Sequence, residues 1–253
     1  MIKSFVLWCA ALMLAVASAR ADVLMVADEF PAMQILAAKL KAEEHLESKI
    51  ISQKELPARL SDYSAVIVYI HKALDPAPER AFIKYAQEGG KLIVLHHSIS
   101  SGKRTNDLWL SFLGVSLPTG DVTNGGYKWV EPATIDVVNL NPAHFITTHK
   151  VQYPSKLEFS TPSAGRESNS LPGFQLPDSE AYLNQVHTGP HTLLLGLSYR
   201  YPVSGVLYQQ TTAGWLKQVE KGMVIYLMPG HRKEDFEDST YSRIVLNAVI
   251  FQP

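Results

Sequence analysis

Four short apolar runs in this chain each stop at residues able to move a proton or hold a metal ion. Val23-Leu24-Met25-Val26-Ala27 stops at Asp28-Glu29, and Ala65-Val66-Ile67-Val68-Tyr69-Ile70 stops at His71. Lys91-Leu92-Ile93-Val94-Leu95 stops at His96-His97-Ser98, and Gly222-Met223-Val224-Ile225-Tyr226-Leu227-Met228 is followed by Pro229-Gly230-His231. Neutral imidazoles and carboxylates that converge could hold a divalent metal such as zinc in an open, catalytic type of site. Without a metal, His97 or His231 could serve as general acid or base near neutral pH, with Glu180 or Asp28 as carboxylate partner. Ser98 stands after a strand and before a helix, where an elbow nucleophile would stand. The G-x-S-x-G pattern is missing, however. So are H-E-x-x-H, the phosphate loop and G-x-G-x-x-G, which leaves no signal for a nucleotide cofactor.

Residues so far apart meet only if a sheet gathers them. Runs apolar on both faces are the mark of buried parallel strands. In an open α/β sheet such strands place their carboxyl ends on one rim, where ligands bind. Helical patterns separate the runs. Pro31 opens one helix running to about Leu46, and Asp75 and Pro76 open another that stops at Gly89-Gly90. A short one is predicted over 106–113, and Ser239 starts the last. The order predicts an α/β domain with a mostly parallel sheet covered on both faces. Between about 115 and 215, Pro, Gly and Asn punctuate short β-prone runs, which predicts a β- and loop-rich insert of hairpins. Within it, 155–176 reads as a wrapping loop.

The first residues carry a different signal. Lys3, an apolar core over 5–16 and Ala19-Arg20-Ala21 predict a signal peptide over 1–21, with secretion or a periplasmic location to follow. The apolar core is short for a membrane span. The domain is then 22–253. The single cysteine, Cys9, falls inside the signal, so the mature chain has no thiol for disulfides, metal binding or nucleophilic attack. Loss of Lys3 and Arg20 leaves 21 basic against 24 acidic residues, a net charge of about −3. That balance, without basic runs, gives no footprint for nucleic acid. Oligomeric state is not readable. Trp109, Tyr127, Trp129, Tyr182 and Trp215 could stack on sugar rings in a cleft, although aromatic residues are more often ordinary core. His45, His187 and His191 read as a solvated helix residue and two loop residues.

Several segments resemble the ThuA-like (trehalose-utilisation) family. Leu95-His96-His97-Ser98-Ile99-Ser100-Ser101 is similar to its strand-end H-H-a-i-a-S. His144-Phe145-Ile146-Thr147 is similar to its H-P-I-T, with Phe145 in place of proline. Asp178-Ser179-Glu180-Ala181-Tyr182 resembles its D-E-x-Y with Ser179 in place of the acid, and Lys221-Gly222-Met223-Val224-Ile225-Tyr226 with Gly230-His231 resembles its G-K-G-R-V-F-Y…G-H. The resemblance implies a class I glutamine amidotransferase-like, flavodoxin-like three-layer sandwich, and a role with trehalose or related glycosides. Without a cysteine in the mature chain, glutaminase chemistry is excluded. The resulting expectation is an exported protein with a small carbohydrate as partner. His97, His231, Glu180 and Tyr182 are the candidate catalytic residues, and Asp28, His71, Ser98 and Trp109 the substrate-binding ones. His96, His144 and His231 are the candidate metal ligands. A non-catalytic sugar- or protein-binding module and a metal-dependent hydrolase remain the alternatives.

Overall fold

The computed structural model describes residues 22–160 and 168–253. The predicted signal peptide lies outside them. The chain begins with β1 (Val23–Ala27), α1 (Phe30–Glu44), β2 (Ser48–Ile51), β3 (Ala65–Tyr69), α2 (Pro76–Gln87) and β4 (Lys91–Leu95). It continues through α3 (Trp109–Leu113), β5 (Val115–Ser116), β6 (Lys128–Asn139), α4 (Phe145–Thr148), β7 (Ser155–Ser160) and β8 (Ser168–Leu183). It closes with β9 (Val186–His187), β10 (Thr192–Arg200), β11 (Leu207–Val219), β12 (Gly222–Leu227) and α5 (Ser239–Ile250). Ten strands form one sheet in the order β2-β1-β3-β4-β12-β11-β10-β6-β8-β7, and β5 pairs separately with β9.

The sheet is mixed. From β2 to β12 every pairing is parallel, and from β12 to β7 every pairing is antiparallel. The prediction of a mostly parallel sheet with an insert is therefore corrected: the 115–215 region extends the same sheet by five strands. The stretch predicted to wrap as a loop instead contributes β7 and much of β8. Its proline Pro172 reads as an end of structure yet pairs with Lys156 in the β7–β8 ladder, and Pro177, just beyond the stretch, sits where a ladder is already broken. The pairing of β6 with β8 shifts register between Ser179 and Leu176, so Pro177, which has no N–H to donate, and Asp178, with a φ of 51°, fall in that irregularity.

β1, β3, β4 and β12 are buried along their whole length, which demands cover on both faces. Helices α1 and α5 pack together, as do α2 and α3, and both α2 and α5 lie against β4. Pro31 stands at the start of α1, which buries Ala32, Met33, Leu36 and Leu40. It ends two residues before Leu46 because His45 takes the left-handed conformation, φ 57°, that closes a helix. The last helix is capped by Asp238, whose Oδ1 accepts from Tyr241 N, and not by Ser239.

Candidate functional site

β4 stops being a strand at Leu95, because His96 has a φ of 45° and opens a single turn of 3-10 helix with His97 and Ser98. That break removes the alternation of a strand, so both imidazoles turn toward the rim. A side chain held in the left-handed region is costly and is kept where the surroundings demand it. His96 is fully buried. Its Nδ1 lies 2.6 Å from the Met228 carbonyl and its Nε2 lies 2.8 Å from Glu180 Oε2. The two ring nitrogens thus face two oxygens, the Met228 carbonyl and the Glu180 carboxylate, which fixes the orientation of the ring.

His97 differs in kind. It is 2% exposed, and neither ring nitrogen has a hydrogen-bond partner among the described residues. The ring lies between Tyr69, at 4.6 Å, and His71, at 4.7 Å between centroids. Burial first, and then the nearby His96, His71, Lys103 and His231, push its pKa far below the ordinary 6.5. His97 is a neutral imidazole with a free donor and a free acceptor.

His231 is gripped from two sides. Its Nε2 lies 2.8 Å from Glu131 Oε2 and its Nδ1 3.3 Å from Glu180 Oε2. The hydrogen bond with Glu180 raises its pKa above 6.5 against the opposing effect of burial. Burial alone would push the Glu180 carboxyl up, but the bonds from His231 and His96 win and hold it at about 2. Glu180 is thus an anion shared by two imidazoles. Tyr182, two residues along β8, stacks on His96 with its hydroxyl 3.3 Å from Nε2. Burial keeps that phenol protonated.

Three anchors hold this arrangement, Lys103 and Asp235 buried and Asp28 exposed. Lys103 Nζ donates to the carbonyls of Ile70, His71 and His97 at 2.9–3.1 Å, which ties the end of β3 to the turn after β4. Its burial lowers the ammonium pKa to about 8. Asp235 Oδ2 accepts from His231 N at 2.9 Å and from Gly230 N at 3.3 Å. Gly230, with φ of 113°, has no room for a Cβ, which would come within 2.8 Å of the Phe236 ring. Asp28 accepts from the amides of His71 and Lys72, which fixes the turn carrying the His71 ring.

His71, His97, Trp129, Glu131, Glu180, Tyr182 and His231 line a cavity of ≈150 Å³, floored by Ser100, Ser101 and Gly102. The rim therefore brings together the four candidate catalytic residues and His71. Asp28 serves it through backbone amides. Ser98 does not reach it as a nucleophile would: its hydroxyl donates to Val68 O and accepts from Ile70 N, so it is a buried stitch to β3. Trp109 lies beneath, fully buried, with its Nε1 donating to Ser98 O. His144 is on the opposite rim. It accepts from Ile146 N as the cap of α4 and packs on Phe251, whose carbonyl takes a bond from Lys91 at the start of β4. Ligation together with His96 is thereby corrected. Among the described residues, the sets whose ligand atoms lie within 4.8 Å of one another are His96–His97–His231, Glu29–His71–His97 and Glu131–Glu180–His231.

Glu131 carries little signal in the sequence. It is one carboxylate in a β-prone run, and only the register shift between Val130 and Ala133, which breaks the pairing at Glu131-Pro132, marks it out. Lys103 carries little either, because a lysine in a polar turn reads as solvated. Asp235 was findable in principle, four residues after His231.

The model of the family described as ThuA, trehalose utilisation, matches residues 25–252. The chain belongs to the ThuA family. Among solved structures it is similar to a ThuA-like protein from Bacteroides uniformis ATCC 8492, at 21% identity and a TM-score of 0.62, covering 92% of this chain and 91% of that one. It is also similar to a ThuA-like protein from Parabacteroides merdae ATCC 43184, at 12% identity and a TM-score of 0.61, covering 90% and 88%. A β-galactosidase from Bacillus circulans sp. alkalophilus contains a similar fold, at 11% identity and a TM-score of 0.53, over 31% of its own chain. No protein of curated function matches. These likenesses establish the ThuA fold, and the chemistry has to be argued from the rim.

Proposed function

We propose that this ThuA-family protein is an exported protein that processes a small carbohydrate, trehalose or a related glycoside, by general acid–base chemistry at the His231–Glu180 rim. The observation that carries the reading is the placement of His231 between two carboxylates and beside His97, whose environment drives its pKa the opposite way. Titratable neighbours whose surroundings separate their proton affinities are the usual arrangement for dividing acid and base roles. A group as hard to protonate as His97 is a poor proton acceptor. Its role is to hold a sugar hydroxyl by hydrogen bonds, while His231 gives and takes the proton. Glu180 stabilises the imidazolium, and the Tyr182 hydroxyl and His96 hold Glu180 in place. The family description supplies the substrate class, and the signal-like first residues supply export.

The test is a panel of glycosides, trehalose included, incubated with the mature protein, His231→Ala and Glu180→Gln, with products followed by NMR. Conversion that falls by about 10²–10⁴-fold in His231→Ala supports the reading. Binding that persists without conversion in any of the three proteins would make this a sugar-binding module.

One observation favours a second reading, a metal-dependent hydrolase. Glu131, Glu180 and His231 offer three ligand atoms within 4.8 Å, and a divalent ion such as zinc could replace the proton they share. Elemental analysis of the purified protein, and loss of conversion on chelation restored by zinc, would select that reading.

A further inference from the structure

Trp129 is 50% exposed, whereas the other described tryptophans, Trp109 and Trp215, are fully buried. A large indole left half in water at a cavity mouth needs an explanation, since its burial would otherwise stabilise the fold. Trp129 stands on β6 opposite Tyr182 in register. It lines the inner cavity of ≈150 Å³ and also a second, wider one of ≈530 Å³. Ser101 and Glu131 are likewise common to both, so the two cavities meet along one wall. The far side of the wider cavity is the turn between β10 and β11, where Tyr201 and Pro202 stand beside Val203, which is 83% exposed. Arg104 and Lys128 add hydrogen-bond donors, and the Arg104 guanidinium lies 5.7 Å from the Tyr127 ring centroid.

An exposed indole flanked by charged donors and one carboxylate suits a ring with an apolar C–H face and a hydroxylated edge. We propose that the wider cavity is a second sugar subsite, in which a pyranose ring stacks on Trp129 while the neighbouring ring of the same glycoside occupies the His97–His231 cavity. The substrate is then a disaccharide or longer, and Trp129 determines that length. The proposal rests on the reading of the inner cavity as a sugar site.

The experiment is calorimetric titration of the mature protein with glucose, trehalose, maltose and cellobiose, repeated on Trp129→Ala, Trp129→Phe and Tyr201→Ala. The expected result is that at least one disaccharide binds at least about tenfold more tightly than glucose. That ratio falls toward one in Trp129→Ala, falls partly in Tyr201→Ala and is largely kept in Trp129→Phe. Circular dichroism confirms that the variants are folded. Glucose binding lost in His231→Ala, with no disaccharide gain in the unsubstituted protein, overturns the outer subsite and leaves the inner one standing. A gain that survives Trp129→Ala also overturns it. No binding by any of the four sugars overturns both.

Discussion

The Ser179 hydroxyl donates a 2.7 Å hydrogen bond to Oδ2 of Asp235, and both residues are buried. The same oxygen accepts from His231 N. One carboxylate thus joins β8, from the antiparallel half of the sheet, to the turn after β12, from the parallel half. Glu180 follows Ser179 directly, so the bond sets the register in which Glu180 faces His231. Serine supplies that donor at position 179 without adding a charge. A second carboxylate there would face Asp235 across a buried gap, and like charges in such a place are strongly disfavoured.

Ser179→Ala leaves part of Asp235 unsatisfied and is expected to cost about 2 kcal/mol, or about 4–8 °C in melting temperature. Ser179→Asp is expected to cost more and to recover as pH falls and one acid of the pair is protonated. Thermal melts of both variants from pH 4 to 8 check this. Equal stability of Ser179→Asp and the parent at pH 7 would contradict it.

Lys103 supports the other side of the cavity. Lys103→Met removes the shared donor of three carbonyls, and it also removes the cost of burying an ammonium. Three orphaned carbonyls outweigh that relief, giving an expected loss of about 2–4 kcal/mol. The His71 and His97 rings should also lose their fixed positions. Denaturant unfolding measures the first, and the imidazole signals in NMR spectra report the second.

His97 gives the protein an acid sensitivity of definite sign. Its folded pKa lies far below the unfolded 6.5. Above pH 6.5 neither state binds the proton. Below it the unfolded chain does and the folded one does not, so stability falls by up to about 1.4 kcal/mol per pH unit. His231, with a raised pKa, acts in the opposite direction but equally in parent and variant. The ring of His97 makes no hydrogen bond among the described residues, so His97→Phe should change stability little at pH 7.5 and exceed the parent at pH 5. Parallel melting curves at both pH values would count against a neutral buried His97.

Much of the parallel half was legible in the sequence because a strand buried on both faces is a continuous apolar run, and its end is marked by the first polar residue. That is how Asp28, His71, His97 and His231 could be placed on one rim. The antiparallel half was less legible. Strands β6 and β8 carry prolines at irregularities of their ladder, and proline reads as an end of structure unless the partner strand is known. Glu131 was hidden for the same reason. His144 was misplaced because a short motif gives no sense of which rim it lies on; Ser98 and Trp109 because position after a strand does not tell whether a side chain faces the cavity or the layer beneath.

Glu180, with Glu131, should hold a proton on His231. The direct measurement is an NMR pH titration of the His231 imidazole in the parent and in Glu180→Gln. The expected pKa lies above 6.5 in the parent and falls toward or below that value once the Glu180 charge is removed. A His231 that titrates below 6.5, or whose pKa does not move in Glu180→Gln, would contradict it.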